Sequence, residues 1–413
     1  MRVSLLTLGC KANQAESSLI EAELRSQGYN VVEINENPDF CIINTCSVTL
    51  KSDYQSRQLI RRAGRAGSSV IVTGCYSELN KDAVKAMDGV AMVVDNANKT
   101  SISNILTGKS SCDTSCINMS TRGRFFLKVQ DGCNHSCSYC IIPKARGRSR
   151  SETIEEVISR IDAVSTAYTE VVLTGIHLGT YGYDLFPNVV LSDLLRSILL
   201  KTRIKRVRLS SLEVCEMDDK LLELMQDERI CKHLHIPLQS GDDRILRMMN
   251  RAYDSGVFLR GIKRLLQRIP EISIGTDIIA GFPGEGEKEF HNTYNFLESI
   301  PFSYLHVFPF SSRKGTRASE MPDSIDSMTK KKRCSILRAL GARKRLEYMR
   351  SQIGKTLDLL IEEKDAEGAC LGTTGNYLKV RARLSDARLK EIVPVGIAAL
   401  SDDVLVGHGI PAP

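Results

Sequence analysis

Between Gly132 and Pro143 the chain sets three cysteines, Cys133, Cys137 and Cys140, at a C-x3-C-x2-C spacing. In so short a loop the three sulfurs can turn toward one point. They supply three thiolates where a closed iron–sulfur cluster or a structural zinc site takes four ligands. A three-ligand set leaves one metal position open, and an open position is where substrate binds and reacts. On these residues alone two other readings stay open: a zinc site completed by His135, or three packed thiols.

Cysteine use in the whole chain favours metal or catalysis over crosslinks. There are 13 cysteines in 413 residues. The opening stretch, Met1-Arg2-Val3-Ser4-Leu5-Leu6, reads as a buried strand rather than a secretory signal. In that setting a disulfide framework is not expected. No run reaches about 18 apolar residues, so no membrane span is expected and the protein is placed in the cytoplasm. Net charge is +7. The surplus gathers mid-chain, at Lys144, Arg146, Arg148 and Arg150, across 201–208, and from Lys330 to Arg350. A basic field around the proposed metal loop favours an anionic partner such as RNA.

Residues 1–97 alternate short apolar runs (Val3–Leu8, Tyr29–Ile34, Phe40–Asn44, Val70–Thr73, Val90–Val94) with helical patterns at Ala15–Gln27, Lys51–Ala66 and Lys81–Met87. The alternation predicts a parallel sheet flanked by helices, flavodoxin-like in arrangement. Cys10, Cys46 and Cys75 each fall just beyond the carboxyl end of one of these strands. Ligands bind at that edge of open α/β sheets, so three distant residues can converge there. They are read as ligands of a second iron–sulfur cluster, with Gly9 and Gly74 allowing close approach of backbone. Cys41, inside a strand, is read as a core thiol. Residues 98–123, rich in Ser, Thr and Asn, are taken as a linker in which Cys112 and Cys116 are incidental.

From 124 to 352 strand candidates recur with helices between them: Phe125–Gln130, Glu170–Thr174, Arg206–Ser210, His233–Pro237, Ser273–Ala280 and Tyr304–Phe308. Six such units predict an open, partial (β/α)6 barrel with its reactive residues at the carboxyl ends of the strands. Residues 353–413 show short strands, Thr356–Glu362, Tyr377–Arg383 and Glu391–Ala398, that predict a small β-barrel. In it Lys379, Arg381 and Arg383 alternate along one strand and therefore share a face suited to phosphates.

Several motifs carry a resemblance. The cysteine loop with Tyr139 before its last cysteine resembles the signature of radical S-adenosylmethionine (SAM) enzymes. Thr7-Leu8-Gly9-Cys10-Lys11-Ala12-Asn13-Gln14, Asn44-Thr45-Cys46-Ser47-Val48 and Thr73-Gly74-Cys75 resemble the N-terminal domain of the methylthiotransferases. Ala12 departs from that pattern, where Val is expected, and touches no ligand. The resemblance covers essentially the whole chain. It implies two [4Fe–4S] clusters, one on Cys133, Cys137 and Cys140 that binds and cleaves SAM, the other on Cys10, Cys46 and Cys75 that delivers sulfur. It implies SAM contacts from Tyr139, Gly175, Ser211, Glu213, Gln239, Ile279 and Gly281, with Glu213 accepting from ribose hydroxyls. It also implies a C-terminal TRAM-like RNA-binding barrel, tRNA as partner, an electron donor such as a flavodoxin or ferredoxin, and a sulfur source. The Gly-Cys-Lys-Ala-Asn-Gln context resembles the branch that methylthiolates C2 of N6-threonylcarbamoyladenosine beside the anticodon. The alternatives are the branches for isopentenyladenosine and for a ribosomal-protein aspartate.

Overall fold

The computed structural model describes residues 1–107, 123–384 and 387–410. Its first unit is a five-stranded sheet of β1 (Arg2–Thr7), β2 (Asn30–Val31), β3 (Phe40–Thr45), β4 (Ser69–Gly74) and β5 (Val90–Val93), ordered β2-β1-β3-β4-β5. Every pair is parallel. Apolar side chains on successive positions pack against opposite faces, as a doubly covered sheet requires. Ile42 joins Val3, Ile20 and Leu24 on one face, while Cys41 and Ile43 join Ile60 and Val72 on the other. Cys41 is thus a core thiol.

The expected linker begins later than its composition implies. Asn96–Ser101 and Ile102–Thr107 are helical. Ile102 packs into the sheet's core and Lys99 is buried against Glu16. Buried Ile102 and Lys99, with Leu106 packed beside them, anchor a segment that is otherwise mostly polar. Cys112 and Cys116 lie outside the described residues.

The second unit contains β6 (Arg124–Lys128), a short antiparallel pair of β7 (Gln130–Asp131) and β8 (Arg150–Ser151), then β9 (Glu170–Thr174), β10 (Arg206–Leu209), β11 (His233–His235), β12 (Ser273–Ala280) and β13 (Tyr304–Pro309). Two parallel three-stranded sheets, β10-β9-β6 and β11-β12-β13, form the partial barrel. They meet through the single bridges Val207↔Ile230 and Ser211↔His235. Among the described residues β6 and β13 do not pair, so the barrel has a seam there. The helix Lys11–Ser26 of the first unit packs along β6 at that seam. Val171, Leu173, Val207 and Leu209 face outward and share one core with Ile161, Leu194 and Ile198 of the surrounding helices. Period-2 alternation leaves Arg124, Glu170, Arg206, Arg208, His233 and Tyr304 pointing into the lumen.

The third unit is a closed barrel of β14 (Thr356–Lys364), β15 (Cys370–Thr374), β16 (Lys379–Arg383), β17 (Ile392–Ser401) and β18 (Val404–Gly409), ordered β14-β15-β16-β18-β17. Two of its strands, β15 and β18, exceed the three expected. No helix among the described residues is long and apolar enough to cross a membrane.

Candidate active site

The cysteine loop leaves the barrel rim after β6 and is pinned at both ends. Gly132 has φ +72°, and a Cβ there would stand 2.0 Å from the Arg148 carbonyl oxygen, so only glycine fits the turn. Cys133 N–H donates to the Gly147 carbonyl at 3.1 Å, and Cys140 N–H to that of Cys137 at 3.1 Å. From the opposite wall, Ser138 donates its N–H to the Met249 carbonyl and its hydroxyl to that of Met248. All three cysteines line one cavity of about 530 Å³, together with Lys144 and Arg148. Burial pushes the Cys140 thiol up to about 12, and the neighbouring Cys137 and Cys133 sulfurs add to it.

Two side chains that sequence reasoning left without a role reach these sulfurs. His177 Nδ1 lies 3.6 Å from Cys133 Sγ, and its other ring nitrogen pairs with Glu216. Burial opposes a charge on His177, yet Cys133 and Glu216 outweigh it and raise the imidazole to about 10. Arg251 donates from Nη1 to Cys137 Sγ and to the Tyr139 hydroxyl, each at 3.5 Å, and its Nη2 donates to the Tyr253 hydroxyl at 2.6 Å and pairs with Glu213. His177 lies two residues after Gly175, just beyond the end of β9. Arg251 carried no local signal, because the carboxylate it serves is far away in the sequence.

The second cysteine set converges because β1, β3 and β4 are neighbours in the sheet, so their carboxyl ends adjoin. Cys10 caps the helix Lys11–Ser26 and is exposed, whereas Cys46 and Cys75 are buried. A Cβ on Gly9 (φ +102°) would lie 2.8 Å from Cys46 Sγ, and one on Gly74 (φ +105°) would lie 2.3 Å from the Thr45 carbonyl oxygen. Burial raises the Cys46 and Cys75 thiols, and the Cys10 sulfur raises both further.

Arg146 ties the two sets together. It follows the cysteine loop, its side chain is fully buried, and its Nε donates to Cys75 Sγ at 3.3 Å. Its other donors reach Glu16 at 2.7 Å, Asp131 at 2.8 Å and Asn13 Oδ1 at 2.5 Å. Asn13 in turn donates to the Leu8 and Thr45 carbonyls beside Cys10 and Cys46. This corrects part of the basic field read from the sequence. Arg146 is neutralised inside the protein, Arg206 and Arg208 are buried against Glu170, and Arg333 is buried against Glu285.

The remaining candidates sit at the carboxyl ends of the strands. A Cβ on Gly175 would lie 2.7 Å from Gln130 Oε1, so backbone is closely approached there. Ser211 is exposed and bridges to His235, and Gln239, at φ +71°, bridges to Ile278. Tyr139 packs beside Ile279 and Phe282, and a Cβ on Gly281 would strike the Lys330 side chain. Glu213 gives Oε2 to Arg251. Lys379, Arg381 and Arg383 do share one face, but Lys379 pairs with Glu362 at 2.5 Å and Arg381 with Asp365 and Glu367 at 2.7 and 2.6 Å. Arg383 has no ion-pair partner among the described residues.

Residues 127–297 match the Radical SAM superfamily, and residues 2–95 match a family described as Uncharacterized protein family UPF0004. The chain is 37% identical to the threonylcarbamoyladenosine tRNA methylthiotransferase MtaB of Aquifex aeolicus, covering 92% of this chain and 96% of that one. It is 36% identical to the MtaB of Bacillus subtilis, covering 96% and 93%. The chain belongs to the radical-SAM methylthiotransferase family. Relatives in this family that are named tRNA-2-methylthio-N(6)-dimethylallyladenosine synthase stand lower, at 29–30% identity. Among solved structures, the radical SAM methyltransferase TsrM of Kitasatospora setae shares the fold, with a TM-score of 0.55 at 13% identity over 75% of this chain and 74% of that one.

The family's cofactors are [4Fe–4S] and SAM, and the residues here fit them. Each set offers three free thiols gathered at one place, with no disulfide between them. Hydrogen bonds from Arg251 and Arg146 already point at one sulfur of each set, Cys137 and Cys75, and contacts of this kind tune the potential of a bound cluster.

Proposed function

We propose that this methylthiotransferase acts on tRNA, placing a methylthio group on C2 of N6-threonylcarbamoyladenosine beside the anticodon. The observation that carries this reading is the near full-length likeness to relatives named for that nucleoside, at 32–37% identity. When bound, SAM and the two clusters supply the hydrogen-abstraction, methyl and sulfur chemistry that side chains cannot perform on an aromatic C–H. The protein's part is to hold and shield. Cys133, Cys137 and Cys140 ligate the cluster that takes SAM, and Cys10, Cys46 and Cys75 ligate the one that bears sulfur. Tyr139, Gly175, Ser211, Gln239, Ile279 and Gly281 line SAM. Glu213 engages Arg251 through Oε2 alone, which leaves Oε1 to accept from a ribose hydroxyl. Lys379, Arg381 and Arg383 face the RNA backbone, where phosphate competes with Glu362 for Lys379 and with Asp365 and Glu367 for Arg381 and finds Arg383 unpaired among the described residues. An electron donor such as a flavodoxin or ferredoxin and a sulfur source complete the reaction.

Nucleoside mass spectrometry of tRNA from cells with and without the gene tests the reading. The methylthio-threonylcarbamoyladenosine is expected to vanish on deletion and to return with the intact gene. Unchanged tRNA would overturn it and turn the search to the ribosomal protein.

A further inference from the structure

The lumen of the partial barrel is charged, where a closed (β/α)8 barrel is filled with layers of branched aliphatic side chains. Four cations, Lys11, Arg124, Arg206 and Arg208, meet two carboxylates, Glu170 and Glu362, while a third, Asp277, is held by His235 and His306. Both Glu170 oxygens are taken, by Arg206 Nε at 2.5 Å and Arg208 Nε at 2.8 Å. The other donors of these two arginines end on backbone carbonyls of the C-terminal barrel, at Asp358, Thr373, Thr374 and Gly375. Arg206 and Arg208 are therefore satisfied.

Lys11 and Arg124 are not. Lys11 follows Cys10 at the start of its helix and reaches through the seam into the lumen. Its Nζ stands 5.3 Å from the centre of the Tyr377 ring, with the Arg208 guanidinium 5.0 Å from the same ring. It has no carboxylate partner among the described residues. Arg208 and Arg124 stand near it with like charge, and Glu170 with opposite charge. Arg124 gives one nitrogen to Glu362 at 2.7 Å, but its Nε is buried with no hydrogen-bond partner. Buried donors without acceptors are rare in finished protein, because each forfeits its hydration for nothing. Beside Arg124 and the Tyr377 ring opens a cavity of about 610 Å³, lined also by Tyr304, His306, Lys379 and Asp403. Tyr377 itself is held at φ +68°, a conformation unusual for an aromatic residue and of the kind found at ligand clamps.

Surplus positive charge and unpaired donors call for an acceptor-only ligand. The same lumen also holds His235, Asp277 and His306 with donor atoms within 4.8 Å of one another. A metal cation there would sit in a field of the wrong sign, and Asp277 Oδ1 already accepts from His235 at 3.0 Å and His306 at 3.2 Å.

We propose that Lys11, Arg124 and Tyr377 form an anion subsite that receives the carboxylate of the amino-acid substituent on the substrate adenosine. This rests on the reading given under Proposed function and extends it to recognition. Three units of the chain contribute one residue each, so the subsite exists only in the assembled protein. Lys11 is the residue next to Cys10, so the base edge receiving sulfur and the arm carrying the carboxylate would be held from adjacent positions of one helix end. A terminal carboxylate can enter such an enclosed lumen end-on, whereas an RNA phosphodiester must bring both flanking nucleotides with it. A neutral isopentenyl substituent offers nothing to these donors, so the subsite also discriminates between nucleosides.

The test uses the cluster-loaded full chain and three anticodon stem-loop RNAs. One carries threonylcarbamoyladenosine, the second carries its neutral carboxamide, and the third carries plain adenosine. Charge-assisted hydrogen bonds of this kind discriminate by about ten- to a hundredfold. The intact protein is expected to prefer the carboxylate RNA over the carboxamide by that factor. Lys11→Met should erase the preference while binding the other two RNAs as the intact protein does, and Lys11→Arg should restore much of it. If Lys11→Met weakens all three RNAs equally, the anion is backbone phosphate and the proposal falls. Equal binding of carboxylate and carboxamide by the intact protein also overturns it. If deletion removes the methylthio nucleoside from tRNA yet this discrimination is missing, the subsite fails alone. If tRNA is unchanged on deletion, the underlying function fails first.

Discussion

Glu16 is the hinge of the buried charge network between the first unit and the barrel, and Glu16→Gln removes its charge with almost no change in shape. In the structure Glu16 Oε2 lies 2.5 Å from Lys99 Nζ, while Oε1 lies 2.7 Å from both Lys128 Nζ and Arg146 Nη1. Lys128 and Arg146 would keep Asp131, at 2.9 and 2.8 Å, but Lys99 would be left buried with no carboxylate. A pair of charges at about 4 Å attracts by roughly 4 kcal/mol at an effective dielectric near 20. Breaking one partner of a buried pair costs about 3–5 kcal/mol, because the other charge stays behind desolvated. At roughly 2 °C per kcal/mol for a large domain, the variant should melt at least about 6 °C lower at pH 7, followed by circular dichroism. Burial opposes ionisation of Glu16, yet Lys99, Arg146 and Lys128 prevail and hold its carboxyl far below the usual range. A folded pKa below the unfolded one contributes stability that is complete above the unfolded value, about 4.3, and is lost as pH falls through the folded one. The gap between the two proteins should therefore stay level from pH 8 to about 5 and narrow below about 4. A gap under about 1 kcal/mol at pH 7, or one that widens in acid, would refute the reasoning.

The two cysteine sets should separate by substitution. With Cys137 proposed as a ligand of the loop cluster, Cys137→Ala should lower the iron content and drop release of 5′-deoxyadenosine from SAM to background. Retained release would exclude Cys137 from that role. Cys46→Ala should leave 5′-deoxyadenosine release in place and abolish methylthio product, and product at the intact protein's level would sink the sulfur-donor assignment of Cys10, Cys46 and Cys75.

What the sequence made legible follows from periodicity. Cys10, Cys46 and Cys75 could be placed together because each closes an apolar run, and parallel strands of one sheet end on one edge. The barrel's strands were readable for the same reason. Charge was read poorly. Arg146, Arg206 and Arg208 look like surface cations, since arginine is mostly exposed, but their partners Glu16, Asp131 and Glu170 come from other elements. No local pattern encodes a partner on another strand or in another unit. The strands Cys370–Thr374 and Val404–Gly409 escaped notice because glycines interrupt their alternation. Lys11 stands within the Cys10 motif, yet only the folded chain shows that it enters the lumen without a carboxylate partner among the described residues.

The place of the C-terminal barrel changes how its charges should be read. Its strand face, Lys379, Arg381 and Arg383, was expected to be its contribution, and acidic neighbours balance two of the three. Its firmer contribution is inward. The carbonyls of Thr374 and Gly375 satisfy Arg208, those of Asp358 and Thr373 satisfy Arg206, and Tyr377 stacks near His233 at 4.5 Å between ring centres. Four charge-assisted hydrogen bonds from buried arginines would be orphaned if this barrel moved away, at a cost of about 1–3 kcal/mol for each donor left dry. The barrel is thus the floor of the lumen, besides the RNA-facing role proposed for its outer strand. Any RNA it holds is fixed relative to Tyr377, and so to the place where the adenosine's substituent would lie.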